Sequence, residues 1–282
     1  MQGVYKNARG RLAARRWCSE TLARAGFPLT TSLLDTTAGS VHVTAAGIGA
    51  PRVVVVPGTG FNAAVALPWL QALSSRWPTM IVDLSGQPGL SDPRRPRRHR
   101  LRWYGRLLDE ILTIADLDNV VLVGNSLGAA VALAAGSPRI AARALISPAG
   151  VIRLSMAPKL AAASAIWLLR PSTDHTRDLL RLFVAPGEEP PEPEVEWMTV
   201  LAANCRTTLA PPPLPSALLA DRATRPCVVA VGEHDRFLPP HRLAPALRRT
   251  MNIDPHIITG MGHLTTPAHL NHVVALVAQL AD

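Results

Sequence analysis

The sequence is almost without lysine: of 29 basic residues only Lys6 and Lys159 are lysines, and the rest are arginines. A net charge of +9 and a pI of about 10.8 would ordinarily point to nucleic acid. No nucleic-acid-binding motif accompanies the charge, and arginine excess beside abundant alanine and proline reads as codon bias in a GC-rich genome. Nucleic acid is therefore not an expected partner. Cysteine is scarce too. Cys18, Cys205 and Cys227 are odd in number, far apart and free of any Cys-x-x-Cys spacing, so neither a disulfide framework nor a zinc site is implied. A reducing compartment fits best. The longest apolar stretch, Leu160 to Leu169, falls far short of a membrane span. The N-terminal segment, with Lys6, Arg9, Arg11, Arg15 and Arg16, lacks the apolar core of a signal peptide. The expectation is a cytoplasmic protein with no integral membrane association.

What is present is apolar content, 48% of 282 residues, enough for one α/β core carrying a subdomain insertion. Residues 8 to 25 have helical spacing, with Leu12, Trp17 and Leu22 opposite arginines, and stop at Gly26 and Pro28. Residues 1 to 30 are expected as an N-terminal lead-in helix. Leu33 to Thr37 and Val41 to Ala46 predict a hairpin about Ala38, Gly39 and Ser40. Short apolar runs follow at Val53 to Val56, Met80 to Asp83, Val120 to Val123, Ala144 to Ser147, Val228 to Val231 and His256 to Ile258. Mostly separated by helical segments, they predict a doubly wound, mostly parallel sheet covered on both faces.

Between Ser147 and Cys227 the alternation stops for roughly eighty residues, against two to six in an ordinary connection. Helical runs at Ala157 to Leu169, Asp178 to Phe183 and Val195 to Asn204 alternate with the proline clusters Pro186 to Pro193 and Pro211 to Pro215. An inserted helical cap over residues 151–225 is expected, leaving 1–150 and 226–282 as the core.

Two turns carry candidate chemistry. Gly124-Asn125-Ser126-Leu127-Gly128 lies between the run Val120 to Val123 and the helix formers Ala129 to Ala135. The pentapeptide alone is a weak signal; between a strand and a helix it reads as a nucleophile elbow, with Ser126 lifted clear of the sheet. A serine in so tight a turn is strained, and glycine two residues on either side removes a Cβ that would crowd it. The second turn, Gly58-Thr59-Gly60-Phe61-Asn62-Ala63, matches a dinucleotide fingerprint, with Asp83 closing the next strand. Pro68 argues against that reading. A dinucleotide fold needs the helix to open at the glycines, and Pro68 would then stand in its second turn, where it costs about 3 kcal/mol. At the first position of a helix from Pro68 to Arg76 it is favourable. The glycines then form a loop of their own, suited to an oxyanion rather than a phosphate.

Taken with three further landmarks, the chain from about Leu33 onward resembles the α/β-hydrolase family. Asp83-Leu-Ser-Gly-Gln-Pro-Gly-Leu-Ser91-Asp92 is similar to the family's Asp-x-x-Gly-x-Gly-x-Ser loop. Gly232-Glu233-His234-Asp235 through Pro239 is similar to the segment after the strand beyond the cap, and Gly260-Met261-Gly262-His263 to the loop that presents histidine. The order Ser126, Asp235, His263 is the family's order. The resemblance implies Ser126 as nucleophile, His263 as general base and then acid, and Asp235 as the group that orients it. It implies an oxyanion hole from the backbone N–H groups of Leu127 and Thr59, with Pro57 standing where histidine is usual. Serine in place of aspartate argues against haloalkane dehalogenase or epoxide hydrolase chemistry. No metal or organic cofactor is expected. The expected reaction is cleavage of an ester, thioester or related acyl bond of a small, apolar substrate. A carrier-dependent thioesterase and a non-hydrolytic, isomerising or ligand-binding member of the fold are the alternatives.

Asp83 is expected to be structural in its glycine turn, and His234 a spectator. Phe61, Asn125, Met156, Trp167 and Trp197, with Phe183 and Met198, are candidates to line an apolar substrate pocket; helical spacing suits the cap's own core equally. Arg94, Arg95, Arg97, Arg98, Arg100, Arg102 and Arg106 read first as a solvated surface. The sharper reading is a docking patch for an acidic carrier protein or an anionic substrate.

Overall fold

A computed structural model describes residues 1–206 and 210–282. The chain opens with a short strand β1 (Gln2–Gly3), helix α1 (Ala8–Ala23), and the hairpin β2 (Thr30–Thr36) and β3 (Gly39–Ala46). Then come β4 (Val53–Val56), α2 (Leu67–Ser74), β5 (Thr79–Val82), the two-residue β6 (Arg94–Arg95) and α3 (Arg100–Ile114). The central unit is β7 (Val120–Asn125), α4 (Leu127–Ala134) and β8 (Ile140–Ile146). Helices α5 (Pro158–Leu169), α6 (Thr173–Leu180), α7 (Glu192–Asn204) and α8 (Ser216–Arg222) precede β9 (Cys227–Gly232), α9 (Pro240–Met251), β10 (His256–Ile258) and α10 (Leu270–Ala281).

Eight strands form one sheet in the order β10-β9-β8-β7-β4-β5-β3-β2. Pairing is parallel from β10 to β5, and the β2–β3 hairpin is added antiparallel at the other edge. The apolar runs predict this because a strand buried on both faces needs no polar alternation. In β7, Val120 and Leu122 join the core beneath α3 and α4, while Val121 and Val123 join the core beneath α2 and α10. The short runs singled out in the sequence therefore form the strands of a doubly wound sheet.

Between β8 and β9, helices α5, α6 and α7 pack on one another as a cap. Helix α8 instead packs on α4 and α9 and belongs physically to the layer under the sheet. Residues 207–209, which fall inside the expected cap, lie outside the described residues. Helix α6 begins earlier than Asp178 because the Ser172 side chain accepts the His175 N–H at 3.2 Å and caps it there. Helix α1 is more than a lead-in: Trp17 meets Trp197 of α7 with ring centroids 5.0 Å apart, and a Cβ on Gly10 would lie 3.0 Å from Asn204. The Lys6 ammonium donates to the Ala202 carbonyl at 2.8 Å, fastening the N-terminal segment to the same helix.

Candidate active site

Ser126 is the whole turn between β7 and α4. Its backbone lies at φ 49°, ψ −111°, a conformation that only surrounding structure can impose. The glycines show how little room the turn leaves. A Cβ on Gly124 would stand 2.5 Å from the Ala129 Cα, and one on Gly128 1.8 Å from the Val56 carbonyl oxygen. Close approach of α4 to β4 is thus what the second glycine permits.

His263 lies on the loop after β10, and that loop is gripped from both sides. A Cβ on Gly262 would meet the Phe183 carbonyl at 2.3 Å, and the Leu264 N–H donates to the same oxygen at 2.8 Å. On the other side a Cβ on Gly232 would stand 2.2 Å from the Gly262 oxygen. The ring then spans two partners: Nε2 is 3.1 Å from Ser126 Oγ, and Nδ1 is 2.8 Å from Asp235 Oδ2. Asp235 Oδ1 accepts the N–H groups of Phe237 and Leu238, each at 2.9 Å, which fixes the carboxylate plane. Burial alone would raise the Asp235 carboxyl, but the His263 charge and hydrogen bond, with the Leu238 N–H, hold it below its ordinary value. Phe237 tilts over His263 with ring centroids 4.7 Å apart.

The loop after β4 faces this group. A Cβ on Gly58 would lie 3.6 Å from Ser126 Cβ, so the loop passes directly over the serine. Gly60 sits at φ 76°, and both its backbone polar groups are held: its N–H donates to Gln87 Oε1 at 3.0 Å, and its carbonyl accepts Trp197 Nε1–H at 2.7 Å. Among the described residues the N–H groups of Thr59 and Leu127 donate to no other protein group. Helix α2 opens at Leu67, well past the glycines, with Pro68 in its first turn as the sequence demands.

A family model for the alpha/beta hydrolase family matches residues 53–279. The chain belongs to that family. Among solved structures it is similar to carboxylesterase CesB of Bacillus subtilis, at 17% identity and a TM-score of 0.80, covering 97% of this chain and 98% of that one. It is also similar to a putative hydrolase of Bacillus subtilis, at 18% identity and TM-score 0.84, covering 98% and 100%. Naproxen esterase of Bacillus subtilis matches at 19% identity and TM-score 0.79, covering 98% and 100%. At such identities the likeness concerns the fold. Comparison with curated protein sequences gives no match.

In this α/β-hydrolase fold a cavity of about 250 Å³ opens over Ser126 and His263. Phe61, Asn125, Met156, Trp167, Phe183 and Met198 line it. Trp197 does not line it, which corrects the expectation for that residue: its indole is buried against Trp17 and its N–H is spent on Gly60. Helix α7 presents the next residue, Met198, to the cavity instead. Sequence reasoning overlooked Gln87 and Leu201. Gln87 lies inside the Asp83 to Asp92 loop, so its place beside two glycines was a usable signal. Asp83 takes the structural part expected of it, accepting the Ala63 N–H at 2.7 Å and the Leu90 N–H at 3.2 Å. Arg95 departs from a solvated surface: it is buried and donates to the Gly86 carbonyl at 2.7 Å. Among the described residues no cluster of histidine, cysteine and carboxylates could hold a metal, and no helix is long and apolar enough to cross a membrane.

Proposed function

We propose that the protein is a serine hydrolase that cleaves an ester, thioester or related acyl bond. The observation that carries this reading is the continuous array Ser126 Oγ, His263 and Asp235, with the serine on a strained turn under an apolar cavity. Two of the structurally similar proteins are named as carboxylesterases, which favours an ester among acyl bonds.

The geometry supports each proposed role. His263 Nε2 takes the Ser126 proton as Oγ attacks the acyl carbon, and Asp235 stabilises the imidazolium through Nδ1–H. The developing oxyanion is held by the N–H groups of Leu127 and Thr59, which donate to no other group among the described residues. The C–O or C–S bond then breaks, and the leaving group departs with the proton from His263. Water, deprotonated by the same imidazole, attacks the acyl-Ser126 ester and releases the acid. The cavity, lined by Leu154, Trp167, Phe183, Met198 and Leu201, takes a small apolar acyl group.

Intact-mass labelling with a fluorophosphonate tests the chemistry, run beside Ser126→Ala. Stoichiometric labelling of the wild type and none of the variant is expected. A folded wild type that stays unlabelled overturns the acyl-enzyme reading.

A further inference from the structure

The arginine-rich segment has divided its charges. Arg94 pairs with Asp92 and Arg95 turns inward, but Arg97, Arg100, Arg102 and Arg106 make no ion pair among the described residues. All four line a cleft of about 820 Å³, together with Pro211 to Pro215 and with Arg222, which is paired with Asp221. One carboxylate lies in the cleft, that of Asp109, and it is already occupied by the N–H groups of Gly136 and Ser137 at 3.0 and 2.8 Å. The arrangement is unfavourable as it stands. Arg102 and Arg106 are like charges at i and i+4, and Arg100 and Arg102 stand in the first turn of α3, which holds no acidic residue to match the helix dipole. An anion in the cleft reverses both penalties.

The cleft also has a fixed relation to the chemistry. Thr59, Gln87 and Ala210 line both it and the apolar cavity over Ser126, and Leu127 lines the cleft. The two spaces therefore meet at Thr59 and Gln87, beside the residues assigned to the oxyanion. A carbonyl placed there has its acyl chain in the apolar cavity and its other substituent in the arginine cleft. Resting on the serine hydrolase reading, we infer that the alcohol or thiol half of the substrate carries phosphate, held by Arg97, Arg100, Arg102 and Arg106 while the acyl half sits under the cap. Guanidinium groups suit this because their paired N–H donors match phosphate oxygens.

Matched substrate pairs test it: octanoyl coenzyme A against octanoyl-N-acetylcysteamine, and 1-octanoylglycerol 3-phosphate against 1-octanoylglycerol. In at least one pair the phosphorylated member is expected to have kcat/KM higher by about tenfold or more at low salt, declining as salt is added. Which pair responds identifies the phosphate bearer. In Arg100→Gln/Arg106→Gln, with folding checked by its urea midpoint, the ratio falls towards one. Equal rates within both pairs, or a ratio that survives the double substitution, overturns the inference. Calorimetric binding of coenzyme A and of glycerol 3-phosphate to Ser126→Ala separates the two readings. Arginine-dependent binding by a protein whose wild type resists fluorophosphonate means that the hydrolase reading alone fails. Labelling of the wild type with no binding of either phosphate means that the cleft inference alone fails.

Discussion

Glu194 should make the stability of this protein fall as pH rises from about 4.5 to about 7. It stands in the first turn of α7 with only 5% of its surface exposed. It lines a void of about 20 Å³ shared with Pro57, Gly58, Asn125 and Thr265. Burial raises the Glu194 carboxyl from 4.5 to about 7, with its own backbone N–H opposing slightly. The sign follows from proton counting. Between those two values the folded state binds a proton that the unfolded chain has released, so stability declines with rising pH across that window. Below it both states are protonated and the penalty vanishes. The full shift corresponds to about 3 kcal/mol. Glu194→Gln keeps the shape and cannot ionise. Urea unfolding of both proteins from about pH 4 to about pH 8 at constant ionic strength isolates the effect, because every other group is common to both. The variant should match the wild type at the acid end and exceed it by up to about 3 kcal/mol at the alkaline end. A stability difference that does not change with pH would refute the reasoning.

Two further substitutions and one control test the site's construction. Gly128→Ala forces a Cβ against the Val56 carbonyl at 1.8 Å and should cost more than about 4 kcal/mol or prevent folding, whereas Gly26→Ala, with nothing within 4 Å, should leave the thermal midpoint nearly unchanged. Trp197→Phe removes the donor to the Gly60 carbonyl; it should cost about 1 to 3 kcal/mol of stability and lower kcat more than it alters KM, read from ester turnover beside a urea titration.

The parts of the fold that could be read in the sequence were those decided locally. The runs Val53 to Val56 and Val120 to Val123 are strands because branched side chains suit a layer buried on both faces. Gly124 and Gly128 announced the turn because no other residue fits there. Asp235 and His263 could be placed because each follows a recognisable strand. The remainder depended on neighbours distant in sequence. Periodicity placed Trp197 and Met198 on one helix, but which of them meets α1 and which the cavity is set by Trp17, far away in the chain. The grip of Gln87 and Trp197 on Gly60 joins a loop and a cap helix with no common sequence signal. Arg95 and Arg97 look alike in a run of arginines, yet one fills a gap against Gly86 and the other lines a cleft.

That grip on Gly60 bears on how such a protein can be re-engineered. Because the indole that fastens the Gly60 loop belongs to α7, this helix supports the frame of the candidate site rather than merely resting on it. Transplanting another cap between β8 and β9 to change substrate preference would take away a loop support along with the old pocket. A chimera has to bring its own donor to that carbonyl, or it will exchange specificity for a slack active site.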